Sequence, residues 1–198
     1  MIFRIKMFDK KFFILFQIFI LSLFLQLRAD NLNLIKDIKI FNEDGSINVV
    51  VEIPAGTIEK WEVQKNGGHI EKEIESGKFR KVDYLPYPFN YGFIPQTILT
   101  LNKGENGDQL DVIIIGPSIS RGSIIKVKPI GAIILNDKGQ VDTKIISLSI
   151  NDTNLSKMNS IADIKKNYLG LFDIIILWLQ NYKGEVLELK GFLSKKNS

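Results

Sequence analysis

Apolar residues between Ile47 and Ile150 fall into short runs, mostly strand-length, separated by Gly, Pro, Asn and Asp. Ile47–Ile53 (INVVVEI) is rich in β-branched residues and stops at Pro54, which predicts a strand. Lys60–Lys65 (KWEVQK) alternates, with Lys60, Glu62 and Gln64 on one face and Trp61 and Val63 on the other. Asn66-Gly67-Gly68 signals a hairpin turn, and a further pairing is expected at Lys78–Leu85. Tyr84–Thr97 (YLPYPFNYGFIPQT) holds three prolines and three tyrosines, so it reads as an ordered, aromatic-rich loop. Val112–Ile115 is a wholly apolar strand behind an acidic loop. Ser123–Leu135 and Lys144–Ile150 are strands flanking a turn over Asn136–Val141.

Helical periodicity is confined to the end. Ser160 is placed to cap a short helix from Ile161, and Tyr168–Tyr182 carries Leu171, Ile174, Ile175 and Trp178 on one side. Gly184 ends that run, and Glu185–Phe192 reads as a last strand. Many short strands with few helices predict a mainly β (α+β) fold, a closed or partly closed barrel with helices outside.

The first 29 residues do not belong to that pattern. Met1–Lys11 is basic, and Phe12–Leu27 is sixteen residues without a charge, the order of a secretory signal. Sixteen residues are short for a bilayer span of roughly 20. A cleaved signal is therefore the first reading and an uncleaved signal anchor the second, since Leu27 and Arg28 are poor neighbours for a cut after Ala29. Either predicts an exported, periplasmic or membrane-anchored protein rather than a cytoplasmic one, touching membrane only through this segment. The expected organisation is 1–29 signal or anchor, 30–46 linker or lead-in, 47–192 folded domain and 193–198 polar tail.

Charge sharpens the picture by where it lies. Residues 1–29 hold five Lys/Arg and one acid, a net of +4, which is the whole chain's net charge. The body is neutral, which argues against a nucleic-acid partner. An OB-like single-strand binder would need a basic groove lined by stacking aromatics. With no cysteine there is no disulfide, thiolate metal site or Cys nucleophile.

The acids of the body sit at strand ends and turns. Asp108 and Asp111 lie three apart before a buried strand, Asp137 and Asp142 bracket a turn, Glu52 ends a strand and Glu62 lies on an alternating face. Converging carboxylates repel unless cations neutralise them, and with one histidine the natural neutraliser is an oxygen-seeking ion such as Mg²⁺. Lys60, Arg80, Lys144 and Tyr182-Lys183 supply the donors that hold a phosphate. Taken singly, each of these residues also fits a solvated sheet face or a turn.

Their order removes much of that ambiguity. Glu52-Ile-Pro-Ala, Lys60-Trp-Glu62, Gly77-Lys-Phe-Arg80, Tyr87-Pro-Phe-Asn-Tyr91-Gly-Phe-Ile-Pro, Asp108-Gln-Leu-Asp111-Val, Asp137-Lys-Gly-Gln-Val-Asp142-Thr-Lys144 and Asn181-Tyr182-Lys183-Gly184 follow one another over roughly residues 48 to 192. The set resembles the family I soluble inorganic pyrophosphatases. The resemblance implies a five-stranded OB-like closed barrel with two or so helices outside, and hydrolysis of inorganic diphosphate with several Mg²⁺ ions, Mn²⁺ being a possible substitute. It implies that Asp111 and Asp142 hold activating metals, that Asp137 and Glu52 hold metals arriving with substrate, and that Asp108 deprotonates the attacking water. By the same resemblance Lys60, Arg80, Tyr182 and Lys183 grip phosphate oxygens. Lys144 and Glu62 set the surrounding charge, Tyr91 lies against the metal-water network, Tyr87 supports the pocket, and the chain is a homo-oligomer.

The acidic signature departs from the family's Asp-x-Asp-Pro-x-Asp, reading Asn106-Gly107-Asp108-Gln109-Leu110-Asp111. Asn106 falls where a metal-binding Asp is expected, so it can lend an amide oxygen but no charge. Gln109 replaces a proline that would preset the loop. A weakly active or inactive relative that binds metal and diphosphate, or another phosphorylated ligand, is the alternative. His69 and the Lys195-Lys196 tail read as solvated, Trp61 and Trp178 as core, and Tyr84 as loop packing.

Overall fold

A computed structural model describes residues 14, 17, 32–99, 108–184 and 187–194. The chain divides into two compact units, Met1–Asn33 and Leu34–Ser198, and the fold described here is that of the second. The expected signal or anchor apart from residues 14 and 17, Asn106, and Lys195-Lys196 lie outside the described residues. Among the described residues no helix is long and apolar enough to cross a membrane.

Among the described residues, ten strands and two α-helices form the body: β1 (Ile47–Ile53), β2 (Trp61–Val63), β3 (Ile70–Lys72), β4 (Ile74–Glu75), β5 (Lys78–Phe79), β6 (Asn90–Ile94), β7 (Leu110–Ile115), β8 (Ile124–Asp137), β9 (Gln140–Ser149), α1 (Ile161–Asn167), α2 (Leu171–Asn181) and β10 (Glu188–Ser194). The fold is mainly β with two helices. The main sheet runs β1-β6-β7-β9-β8-β10, and β1 also pairs with β8, so the pairings pass round a ring of five strands. The ring is uneven. β8 and β9 pair along almost their whole length, whereas β1 meets β8 only over Ile47–Val50.

β8 is long because one of its edges serves β9 throughout while the other serves two partners in turn. That second edge pairs with β1 at Ile124–Val127 and with β10 from Gly131 to Asn136. Pro129 falls in the gap between those two partners, where that edge is unpaired, and the β9 register shifts just beyond it. Gly92 on β6 answers a close approach: a Cβ there would lie 1.9 Å from the Val50 carbonyl oxygen, so any side chain would push β1 away.

Alternation sorts the buried side chains into separate cores. Val112 and Ile114 of β7 join Val49, Val51 and Val127, whereas Ile113 and Ile115 join Ile133, Ile146, Leu148 and the helices. Both faces of β7 are therefore buried, which is why its sequence is continuously apolar. α1 begins with the expected Ser160 cap, reinforced by Asp163 in a capping box. α2 buries Phe172, Ile175, Trp178 and Leu179. Ile174, expected on the buried face, is instead 57% exposed, because the inward stripe runs through Phe172 and Leu179.

Other expectations shift at the edges. The Lys78–Leu85 pairing is realised as the two-residue β5 and a bridge of Lys81 to Glu59, and it ends before Leu85, whose carbonyl is held by Trp178. Residues 34–38, read as linker or lead-in, bury Ile35 and Ile38, and Ile35 packs with Val50, Val63 and Phe93. Leu193 and Ser194 pair with β8 rather than trailing as tail. The Asn136–Val141 turn tightens to Lys138-Gly139, both at positive φ, which lets β8 and β9 continue to Asp137 and Gln140.

Candidate functional site

The strand face that builds the main core changes character at one end. Ile113 and Ile115 on β7, and Ile146 and Leu148 on β9, are apolar, but the same faces continue into Asp111, Lys144 and Asp142. The parallel β7–β9 register sets Asp111 directly opposite Lys144. The Lys144 ammonium, almost wholly buried, donates to Asp111 Oδ2, Asp142 Oδ1 and the Tyr91 hydroxyl, each at 2.8 Å. Its three donors are thereby spent. Burial alone would pull its pKa down, but Asp111 and then Asp142 hold it well above the usual lysine range. Burial pushes the Tyr91 hydroxyl well up, and the neighbouring Asp111 and Asp142 add to it.

Glu52, at the end of β1, is buried and accepts the Val63 N–H at 2.7 Å. Burial, with Asp111 and Glu62 nearby, drives its carboxyl well above the usual range despite that bond. Asp137, at the end of β8, pairs with Lys183 just beyond α2 and is held below its usual value by that contact. Trp178 and Tyr182, one helical turn apart, stack with ring centroids 4.5 Å apart at 7°. Trp178 donates to the Leu85 carbonyl, which fixes the aromatic loop and sets Tyr87 against its ring at 4.5 Å. Burial raises the Tyr87 hydroxyl above the phenolic range.

The opposite wall is made of the short ribbons β2–β3 and β4–β5. Lys60 lies 3.9 Å from Glu62 and 2.9 Å from Glu73 Oε2, the latter an ion-pair contact without hydrogen-bond alignment. Arg80 donates from Nη1 to Glu73 Oε1 at 2.7 Å. Burial pulls Lys60 down, but Glu62 and Glu73 outweigh it and raise it; Arg80 is raised in the same way, chiefly by Glu73. Burial pushes Glu62 up. Lys65, beyond β2, reaches Asp108 Oδ1 at 2.6 Å.

One cleft of about 150 Å³ is lined by every expected site residue that is described: Glu52, Lys60, Glu62, Arg80, Tyr87, Tyr91, Asp108, Asp111, Asp137, Asp142, Lys144, Tyr182 and Lys183. Trp178, read as core, is 3% exposed yet also lines it, and Trp61 is only partly buried, stacked under the Arg121 guanidinium at 3.6 Å. His69 is exposed beside Glu71. Glu73, Lys65 and Gln140 were not anticipated. Glu73 sits in the run Glu71-Lys72-Glu73-Ile74-Glu75, where alternating charge looks like a solvated ribbon and nothing in the spacing marks one acid.

The donor set suits a hard cation. Every acid named in the cleft is a carboxylate, there is no thiolate, and the acids outnumber the Lys and Arg heads lining it. Among the described residues no three acids converge on one point, because Asp111, Asp142, Asp137 and Asp108 are each drawn to a lysine. Those lysines hold the places of positive charge in this conformation.

Comparison with known proteins agrees with the geometry. The profile of the family described as Inorganic pyrophosphatase matches residues 49–195. The chain is 39% identical over 158 residues to an inorganic pyrophosphatase of Drosophila melanogaster, covering 72% of this chain and 46% of that one. It is 31% identical over 159 residues to soluble inorganic pyrophosphatase 1, chloroplastic, of Chlamydomonas reinhardtii, covering 74% and 56% respectively. The chain thus spans about half the length of these relatives. Among solved structures it is similar to the type I inorganic pyrophosphatase from P. falciparum, with TM-score 0.77 and 28% identity over 83% of this chain and 59% of that one. It is also similar to an N-terminally truncated vacuolar soluble pyrophosphatase of Trypanosoma cruzi in complex with PPi, with TM-score 0.76 and 27% identity over 81% and 71%.

Proposed function

The chain belongs to the inorganic pyrophosphatase family, and from that membership we propose that it hydrolyses inorganic diphosphate to two orthophosphates. The observation that carries this reading is the convergence of the expected acids, cations and tyrosines on one cleft. The ring of five strands supports an OB-like closed barrel, with the cleft at its mouth.

Asp108 is the general base: it orients the attacking water and takes its proton as oxygen bonds to phosphorus and the bridging P–O bond breaks. Lys60, Arg80, Tyr182 and Lys183 hold the phosphate oxygens and stabilise the charge that collects on the departing phosphate, which leaves carrying a proton from solvent. Asp111, Asp142, Asp137, Glu52 and Asn106 are the residues that would hold Mg²⁺ ions, with Mn²⁺ as a possible substitute. When bound, the metal supplies Lewis acidity and neutralises the charge of diphosphate. Lys144 bridges Asp111 and Asp142 and offsets their charge until then, Tyr91 fixes the Lys144 head, and Glu62 and Tyr87 shape the pocket. Export or membrane anchoring through residues 1–29 and a homo-oligomeric state complete the proposal.

Phosphate release from diphosphate, titrated with Mg²⁺, tests it against an Asp108→Asn control. Turnover that falls at least about a thousandfold in the control supports the mechanism. No turnover by folded wild type at any Mg²⁺ concentration favours a binding-only relative, the reading that Asn106 motivates. In the same titration Asn106→Asp is expected to lower the Mg²⁺ concentration for half-activity, because it returns a negative ligand to the loop. An unchanged midpoint would remove Asn106 from the metal set.

A further inference from the structure

Lys60, Glu73 and Arg80 come from three separate passes of the chain, yet their backbones close a ring. The Lys60 N–H donates to the Arg80 carbonyl at 3.0 Å, the Arg80 N–H to the Glu73 carbonyl at 2.9 Å, and the Glu73 N–H to the Lys60 carbonyl at 3.1 Å. The side chains repeat the connection. One carboxylate oxygen of Glu73 accepts from Arg80 Nη1 at 2.7 Å, and the other lies 2.9 Å from Lys60 Nζ. Glu73 is about three-quarters buried and does not itself line the cleft, whereas Lys60 and Arg80 both do.

We propose that Glu73 is a positioning residue for diphosphate binding, holding the Lys60 and Arg80 heads at a fixed separation so that both meet one phosphate group. The inference rests on the pyrophosphatase reading of the cleft. Two partly desolvated cations on flexible stems repel each other and would otherwise swing apart into solvent. A carboxylate behind them cancels that repulsion and fixes both heads. An ammonium has three donors and a guanidinium five, so contact with Glu73 leaves donors on each for substrate oxygens. Other charges face the same heads: Glu62 lies 3.9 Å from Lys60, and Glu75 lies 3.7 Å from Arg80 Nε but is 65% exposed. Glu73 alone bridges the two among the described contacts.

The test compares wild type, Glu73→Gln and Glu73→Asp as full chains, in diphosphate turnover and in direct calorimetric binding of inorganic phosphate with Mg²⁺ present. Glu73→Gln is expected to raise KM by about tenfold while kcat stays within about twofold, with phosphate binding weakened in parallel. Glu73→Asp, which keeps the charge on a shorter arm, is expected to recover part of that loss. In an Arg80→Gln background the same Glu73→Gln change is expected to weaken phosphate binding by less than about twofold, because one of the heads it positions is gone. A folded Glu73→Gln protein with unchanged KM and phosphate affinity would reduce Glu73 to a structural tie. Tighter phosphate binding would make it a competitor for the cations instead, and either result overturns the proposal. Should Glu73→Gln fail to fold, Glu73→Asp decides alone: raised KM at an unchanged unfolding temperature supports positioning, and unchanged KM sinks it. Wild type that binds phosphate but does not turn over diphosphate would remove the pyrophosphatase reading, while the binding arm still decides the role of Glu73.

Discussion

The two walls of the cleft place their charges by different physics. On the sheet wall, the register of β7 against β9 puts Asp111 opposite Lys144, and the pleat puts Asp142 on the same face. The backbone fixes these groups, and burial makes them rigid. On the ribbon wall, β2 to β5 are two or three residues each, and Lys60 and Arg80 are anchored by ion pairs to Glu73. Charge placed by a sheet resists change because moving it would move the core. Charge placed by a carboxylate can be retuned by one substitution. The contrast predicts that damage to the sheet wall registers first as lost stability, and damage to the ribbon wall as lost affinity.

The harshest test of that division is Lys144→Met. Removing a buried ammonium leaves Asp111 and Asp142 facing each other without their cation, which is expected to cost about 3–5 kcal/mol of stability. Urea unfolding measures it, and a loss below about 1 kcal/mol would break the comparison. Arg80→Gln is the matching change on the other wall. It is expected to raise KM by about 10- to 100-fold while costing no more than about 1 kcal/mol in the same unfolding experiment, since the pair is partly solvated. An unfolding loss equal to that of Lys144→Met would show that both walls are structural.

The smallest expected effect lies in the acid limb of stability. Burial pushes Glu73 up, but Lys60 and then Arg80 outweigh it and hold its pKa below the ordinary 4.5. Unfolded chain therefore takes up the Glu73 proton at a higher pH than folded chain does. The contribution is present above the unfolded value and is lost as pH falls through the lower folded one. Lys60, Arg80 and, more distantly, Glu62 and Glu75 are the charges facing this cluster. Thermal unfolding of wild type and Glu73→Gln between about pH 6 and pH 3 should converge as the medium becomes acid; parallel curves would show that the ion pairs add no stability.

The same contrast explains what the sequence made legible. Residues of the sheet wall sit in strongly patterned strands, so Ile47–Ile53, Val112–Ile115 and Lys144–Ile150 could be read from β-branched runs, and their terminal acids followed. The Ser160 cap was equally legible, because capping chemistry is local. Glu73 was not, since its meaning lies in a three-way meeting of Lys60, Glu73 and Arg80 that no periodicity encodes. Ile174 misled because an apolar residue on the edge of a helical stripe can turn outward once Phe172 and Leu179 fill the interface. Trp61 was legible only in part: it packs against the main core, but its ring is also covered by Arg121, sixty positions along the chain.

The parallel pairing of β7 with β9 also sets when the cleft can exist. Asp111 and Lys144 are separated by 33 positions, and the whole of β8 must cross between them before they meet. Lys183 reaches Asp137 over 46 more positions of chain, from beyond the last helix. A chain emerging from the ribosome therefore leaves Asp137 without Lys183 until the segment beyond α2 has docked, since contacts of such long range close late. The Lys183 side of the cleft is thus assembled after the Asp111–Lys144 side, and a fragment that stops before α2 lacks Trp178, Tyr182 and Lys183 from its lining.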